Sequence, residues 1–144
     1  MKQALNFIVA GLLLVHISSC SKDDDNNNGG ASEAVATSLQ SGTWRVTSYV
    51  DNGTDETSDF SSFSFTFVNS GTVAASNTLS IATGTWDTGV DDSKHKLLLA
   101  FNNSALFDEI SEDWEIVAQS STQVNLRHIS GGNGETDLLV FQKN

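Results

Sequence analysis

The sequence contains no proline and a single cysteine, Cys20. Without proline, no interior strand is denied a ladder N–H group, which suits a sheet-rich chain. With one cysteine, no disulfide can form within the chain. Basic residues are also scarce: seven Lys and Arg stand against eighteen Asp and Glu, for a net charge of -11. Such a surface repels phosphate backbones, so nucleic acid is not an expected partner. Beyond residue 20 there is no second apolar run of membrane length. Catalytic signatures are missing too. There is no Gly-x-Ser-x-Gly, no phosphate loop and no His-Glu-x-x-His, so neither an enzyme nor a cofactor is expected.

What is present begins at the start of the chain. Met1 and Lys2 form a short positive segment, and Ala4 to Ile17 is apolar except for Asn6, Gly11 and His16. This run has the length of a signal-peptide core and falls short of the roughly 20 residues that span a bilayer. It ends on Ile17-Ser18-Ser19-Cys20, where two small residues suit a signal peptidase and a thiol follows them directly. These residues resemble a lipobox, the motif of bacterial lipoproteins. The resemblance implies that residues 1–19 are a signal peptide and that Cys20 is the lipid attachment site, diacylated and N-acylated. The alternatives are a non-lipidated signal peptide followed by an incidental Cys, and an uncleaved signal anchor. Each buried methylene contributes about 0.8 kcal/mol, and one acyl chain holds only marginally, but three anchor a protein to a membrane.

Residues 20–34 are expected to be a lipidated, flexible acidic tether. The stretch Ser21-Lys22-Asp23-Asp24-Asp25-Asn26-Asn27-Asn28-Gly29-Gly30 has no apolar residue, so it cannot offset its own ordering entropy. It reads either as a solvated spacer or as a sorting signal. Lys-Asp-Asp-Asp after the Cys resembles the export signal of surface lipoproteins in Bacteroidota-type bacteria, which implies an outer-membrane, surface-exposed location in the cell envelope. Cleavage would remove Lys2 and take the net charge from -11 to -12. Residues 31–40 contain no helix breaker, and Ser32 and Gly42 stand where a cap and a stop belong, so a short N-terminal helix is expected.

Residues 35–144 are read as one all-β domain. Apolar residues recur with period two. Trp44, Val46, Ser48 and Val50 alternate with Arg45, Thr47 and Tyr49. Phe63, Phe65 and Phe67 form a second strand, and Val73 and Ala75 a third. Residues 79–87 form the fourth, and Leu97, Leu99 and Phe101 the fifth. Trp114, Ile116 and Ala118 mark the sixth, Val124, Leu126 and His128 the seventh, Leu139 and Phe141 the eighth. Asn69-Ser70-Gly71 is a hairpin signal, and residues 104–110 suggest one helical turn. Eight strands joined by short polar turns predict an eight-stranded antiparallel up-and-down barrel, which leaves no open edge. A β-sandwich with the same strands is the alternative. Leu97-Leu98-Leu99 and Leu138-Leu139-Val140-Phe141 are apolar on both faces, which predicts an outer cover from the helix or a neighbour.

Gly42-Thr43-Trp44 opens the first strand and Gly84-Thr85-Trp86 recurs in the fourth. The flanking residues differ, so this reads as one packing solution used twice rather than a duplication. A Gly-x-Trp at the first strand resembles lipocalins, and the stretch 35–144 resembles the small lipocalin-like domains of Bacteroidota lipoproteins, in length, in the repeated motif and in its apolar last strand. The resemblance implies a barrel with a Trp closing one end. It carries no ligand residues, and the chain is shorter than a typical lipocalin.

Chemistry-bearing residues are few. His16 leaves with the signal peptide, His95 between Lys94 and Lys96 is expected to face solvent, and His128 to be a satisfied barrel-end residue. Two histidines without nearby Cys make no metal set. Three acidic groups stand out: Asp51, Asp55, Glu56 and Asp59; Asp87, Asp91 and Asp92; and Asp108, Glu109, Glu112, Asp113 and Glu115. Oxygen-rich loops can bind calcium, but the first lacks EF-hand spacing, and a solvated acidic surface accounts for all three. Trp44, Phe63, Phe65, Phe67, Trp86, Phe101, Trp114 and Phe141 share the inward parity and line either a packed core or a ligand cup. Two functions follow: a membrane-anchored barrel binding a small apolar ligand in its mouth, or a surface protein contacting envelope proteins or glycans with its outer face.

Overall fold

A computed structural model describes residues 30–132 and 134–144. The signal peptide, Cys20 and most of the tether lie outside the described residues. The chain runs as α1 (Gly30–Leu39), β1 (Trp44–Asp51), β2 (Thr54–Asp55), α2 (Thr57–Phe60), β3 (Ser64–Phe67), β4 (Thr72–Ser76), β5 (Ile81–Asp91), β6 (Lys94–Phe101), α3 (Ala105–Asp108), β7 (Asp113–Gln119), β8 (Gln123–Ile129) and β9 (Thr136–Lys143). Apart from the two-residue β2, each strand pairs antiparallel with its neighbours in chain order, and β9 returns to pair with β1. The sheet is therefore a closed eight-stranded up-and-down barrel, and the sandwich alternative falls. No described helix is long and apolar enough to cross a membrane.

The alternation that predicts the strands also fills the barrel. Phe65, Phe67, Val73, Leu97, Leu99, Trp114, Val124, Leu126, Leu139 and Phe141 all point inward and are buried. Their rings meet edge to face: Phe65 lies 5.1 Å from Phe141, and Phe67 lies 5.5 Å from Trp86. Such pairs add about 0.5–1.5 kcal/mol each beyond the area they bury.

Two strands depart from strict alternation. In β1 the register with β9 shifts between Val46 and Ser48. A bulge adds one residue and reverses which side chains face inward. Tyr49, expected outside, is therefore buried, and Ser48 and Val50 are only half-buried. In β7 a similar shift between Ile116 and Ala118 leaves Ala118 exposed. The fourth barrel strand begins at Ile81, not at residue 79, and Leu79 stands in solvent.

Both barrel ends are closed. At one end α1 packs against β5, β6 and β7, burying Val35 and Leu39. This helix starts at Gly30, so residues 30–34 belong to the domain rather than to a tether. Ser32 does not stand outside the helix as a cap. It is buried within it, and its hydroxyl donates to the Gly89 carbonyl at 2.6 Å. Trp44 fixes the other end of the helix: its indole N–H donates to the Leu39 carbonyl at 3.1 Å. The opposite end is plugged by Phe60 of α2, Phe107 of α3 and Ile110, all buried. Phe107 touches Phe60, Phe63, Phe65 and Phe101.

Among the described residues, the helix does not cover the outward face of the apolar strands. Leu98 and Leu138 remain over 40% exposed, at 45% and 43%. The helix closes an end of the barrel instead of lying along its wall.

Candidate functional site

The eight aromatic residues singled out by parity all belong to the interior. Trp44, Phe65, Phe67, Trp86, Phe101, Trp114 and Phe141 are buried, and Phe63 is half-buried at the α2–α3 end, 5.0 Å from Phe107. All three indoles spend their N–H on a backbone carbonyl: Trp44 on Leu39, Trp86 on Val68 and Trp114 on Ile110. They are committed to packing.

The repeated Gly-Thr-Trp shares its tryptophan and not its glycine. Gly42 sits at φ +85°, a left-handed turn leaving the helix. Gly84 lies inside β5, where a side chain would strike the neighbouring strand.

His95 does not face solvent freely. It is half-buried, with Nδ1 2.9 Å from the Ser32 hydroxyl. Because that hydroxyl donates its proton to Gly89, the imidazole must supply the proton of the second bond. The serine is thus not activated as a nucleophile, and the pair clamps α1 to the β5–β6 hairpin.

The polar residues that the fold gathers lie at the α2–α3 end. Here β7 begins, β8 ends and β9 begins. His128 sits above the buried Trp114, ring centroids 6.0 Å apart. Its Nε2 is 3.7 Å from Glu112 Oε2 and 3.7 Å from Asp113 Oδ1. On its other side, Nδ1 is 3.5 Å from Asp137 Oδ2 and shielded from water. Asp137 is itself fixed, since Oδ1 accepts the Asn52 N–H at 3.0 Å. Asp51 joins this rim: burial, and then a hydrogen bond shared with Asp137, raise its carboxyl above the usual range. Burial, followed by the charges of Glu56, Asp59 and Asp51, raises Glu109 in the same way.

The first and third acidic groups of the sequence thus meet on one rim, through Asp51, Glu56, Asp59 and Glu109. Asp91 and Asp92 lie at the far end, beside the β5–β6 turn. Glu115 has a different role. It faces outward between Arg127 Nη2 at 3.0 Å and Lys94 Nζ at 3.1 Å, and their hydrogen bonds, Arg127's first, lower its pKa. Asp137 was not singled out from sequence, and His128 was not linked to the carboxylates. Both carry a readable signal: they are polar residues on the inward parity of strands whose other inward residues are Val124, Leu126, Leu139 and Phe141.

A shallow groove of about 770 Å³ runs along the outer face of β5 and β6. The turn at Asn69–Gly71 walls one side, and Ser111, Glu112 and Asp113 wall the other. Its floor includes Thr85, Asp87, Leu98 and Ala100, the outward residues of the two strands.

No protein-family model matches the chain. No curated protein matches it either. Among solved structures, it is similar to a DUF4847 family protein from Bacteroides vulgatus ATCC 8482, with a TM-score of 0.54 and 17% identity over 76% of this chain and 97% of that one. At that identity the likeness concerns the fold: a small closed antiparallel barrel.

Proposed function

We propose that the protein is a non-catalytic lipoprotein, anchored in the outer membrane through Cys20, that contacts another envelope protein or a glycan with the outside of a filled barrel. The observation that carries this reading is the closure of both barrel ends over an interior of touching aromatic rings. Ligand-binding barrels keep a concave, open pocket. Here α1 occupies one mouth, and Phe60, Phe107 and Ile110 the other. The room for an apolar ligand is taken by the protein's own side chains. What remains available for recognition is the exterior, where the groove sets Leu98 and Ala100 beside Thr85 and Asp87 on its floor and carries Glu112 and Asp113 on one wall. The lipobox resemblance supports the anchor.

Titration with a long-chain fatty acid, followed by tryptophan emission, tests the filled interior. Trp44 and Trp114 report from its two ends. No saturable change is expected, and a saturable one-to-one response would restore the ligand reading. A photo-reactive residue at Leu98 on intact cells is expected to give discrete cross-links, unlike one at Leu79 on the far hairpin; identical patterns from both would remove the groove from the proposal. Cys20→Ala is expected to move the protein from the membrane to the soluble fraction.

A further inference from the structure

We infer that Glu112, Asp113 and His128 form a divalent transition-metal site, of which zinc is the best-fitting occupant, with Asp137 as the residue that orients the imidazole. Glu112 and Asp113 are consecutive residues where β7 begins, His128 lies near the end of β8, and their donor atoms converge within 4.8 Å of one another. Their spacing is informative. The distances of 3.7 Å from His128 Nε2 to each carboxylate are too long for charge-assisted hydrogen bonds, which close to about 2.7–2.9 Å. They approach the roughly 3.4 Å edge that ligand atoms keep around a tetrahedral ion bound at about 2.0–2.2 Å. Glu112 and Asp113 are exposed, so their side chains can close the remaining gap without moving the barrel.

The second observation is independent of the carboxylates at Nε2. The imidazole is positioned from behind. Trp114 supports its ring, and the buried Nδ1, which has no hydrogen-bond partner among the described residues, lies 3.5 Å from the carboxylate of Asp137, which the Asn52 N–H holds in turn. The negative charge of Asp137 beside Nδ1 favours the proton on that nitrogen and leaves the Nε2 lone pair to face Glu112 and Asp113. Metal-bound histidines fix their tautomer by donating that proton to a carboxylate, a bond that forms here once Asp137 closes from 3.5 Å. The charges are also divided. Lys96 Nζ takes Asp113 Oδ2 at 3.3 Å, leaving Oδ1 to the site, and among the described residues no Lys or Arg ion pair reaches Glu112.

One imidazole and two carboxylates are a borderline donor set that suits zinc or manganese better than calcium, which takes six to eight oxygens. Three protein ligands leave a coordination position open. Glu112 and Asp113 also wall the outer groove, so a bound ion would stand at its edge. The site does not depend on the surface-contact reading above.

The test uses the untagged full chain in detergent, stripped with chelator and titrated with zinc chloride by calorimetry. One ion per chain is expected, with a rise in the melting temperature of the loaded protein. His128→Gln and Glu112→Gln should each weaken binding by at least about 10-fold, and Asp137→Asn by about 10–100-fold. Asp92→Asn, at the opposite barrel end, should leave it unchanged. Circular dichroism of each variant establishes that it is folded, and Glu112→Gln, on the surface, keeps the question open to decision if His128→Gln unfolds. Cobalt substitution gives a direct reading: visible absorption bands that disappear in His128→Gln. The inference is overturned if the folded wild type binds no zinc saturably, if folded His128 and Glu112 variants bind as the wild type does, or if calcium binds tighter than zinc.

Discussion

Gly84 in β5 stands directly against Phe101 in β6. A Cβ built on the glycine would lie 2.6 Å from the Phe101 Cα and 2.3 Å from the Ala100 carbonyl oxygen. These are backbone atoms, so no rotamer change relieves the clash. The strands would have to separate at a paired position of the barrel wall. Gly84→Ala is therefore expected to destabilise the domain by about 2–3 kcal/mol, in the upper range for overpacking. Gly89, in the same strand, has open space where its Cβ would go and no left-handed backbone. Gly89→Ala should change stability by under about 1 kcal/mol. Urea denaturation of the two variants checks the contrast, and equal losses would refute it.

This pair also marks how far the sequence could be read. Alternation from Trp44 to Phe141 was sufficient for eight strands and for their inward faces, because burial on one side of a closed sheet imposes period two. The same periodicity is blind to bulges. Tyr49 reads as outward until the extra residue between Val46 and Ser48 turns it in. Two glycines in identical Gly-Thr-Trp contexts serve different purposes, one for a positive φ and one for strand contact, and only the third dimension separates them. The candidate metal site was partly legible. His128 and Asp137 break the apolar inward pattern near strand ends, which marks them as polar residues on the rim. Their meeting with Glu112 and Asp113 depends on the alignment of β7, β8 and β9, which no local pattern encodes.

The acidic rim has a cost at neutral pH. Glu109 has its pKa raised by burial first and then by Glu56, Asp59 and Asp51. A carboxyl raised above its unfolded value binds protons better in the native state. Its contribution is full below the unfolded pKa near 4.3 and is lost as pH rises through the folded one. At pH 7 the charged Glu109 thus works against the fold. Glu109→Gln should be more stable than the wild type at pH 7, by no more than about 1 kcal/mol because the side chain is exposed. The two proteins should converge as pH falls below about 4. Thermal melts of both across pH 3 to 8 test this; a stability difference that grows in acid would contradict the assignment.

Tyr49 sets the alkaline limit. The bulge in β1 buries its ring against Phe60, 5.3 Å away, and its hydroxyl donates to the Glu109 carbonyl at 2.9 Å. Burial first, and then the neighbouring Asp51 and Glu109, push the phenol well above its ordinary value. Neutral phenol is therefore what the folded state holds, and the unfolded chain releases that proton near pH 10. A raised native pKa gives stability that is intact below the unfolded value and drains away above it. Each pH unit past about 10 should remove at most about 1.4 kcal/mol through this residue. Lysine deprotonation acts over the same range, so the wild type alone cannot isolate the phenol. Tyr49→Phe can: it keeps the ring in contact with Phe60 and gives up only the hydroxyl. At pH 7 it should lose about 1 kcal/mol, the net worth of one hydrogen bond. Between pH 10 and 11.5 its melting temperature should fall less steeply than the wild type's, so the two curves approach or cross. Parallel curves over that interval would mean that Tyr49 ionises as easily in the folded protein as in the unfolded chain.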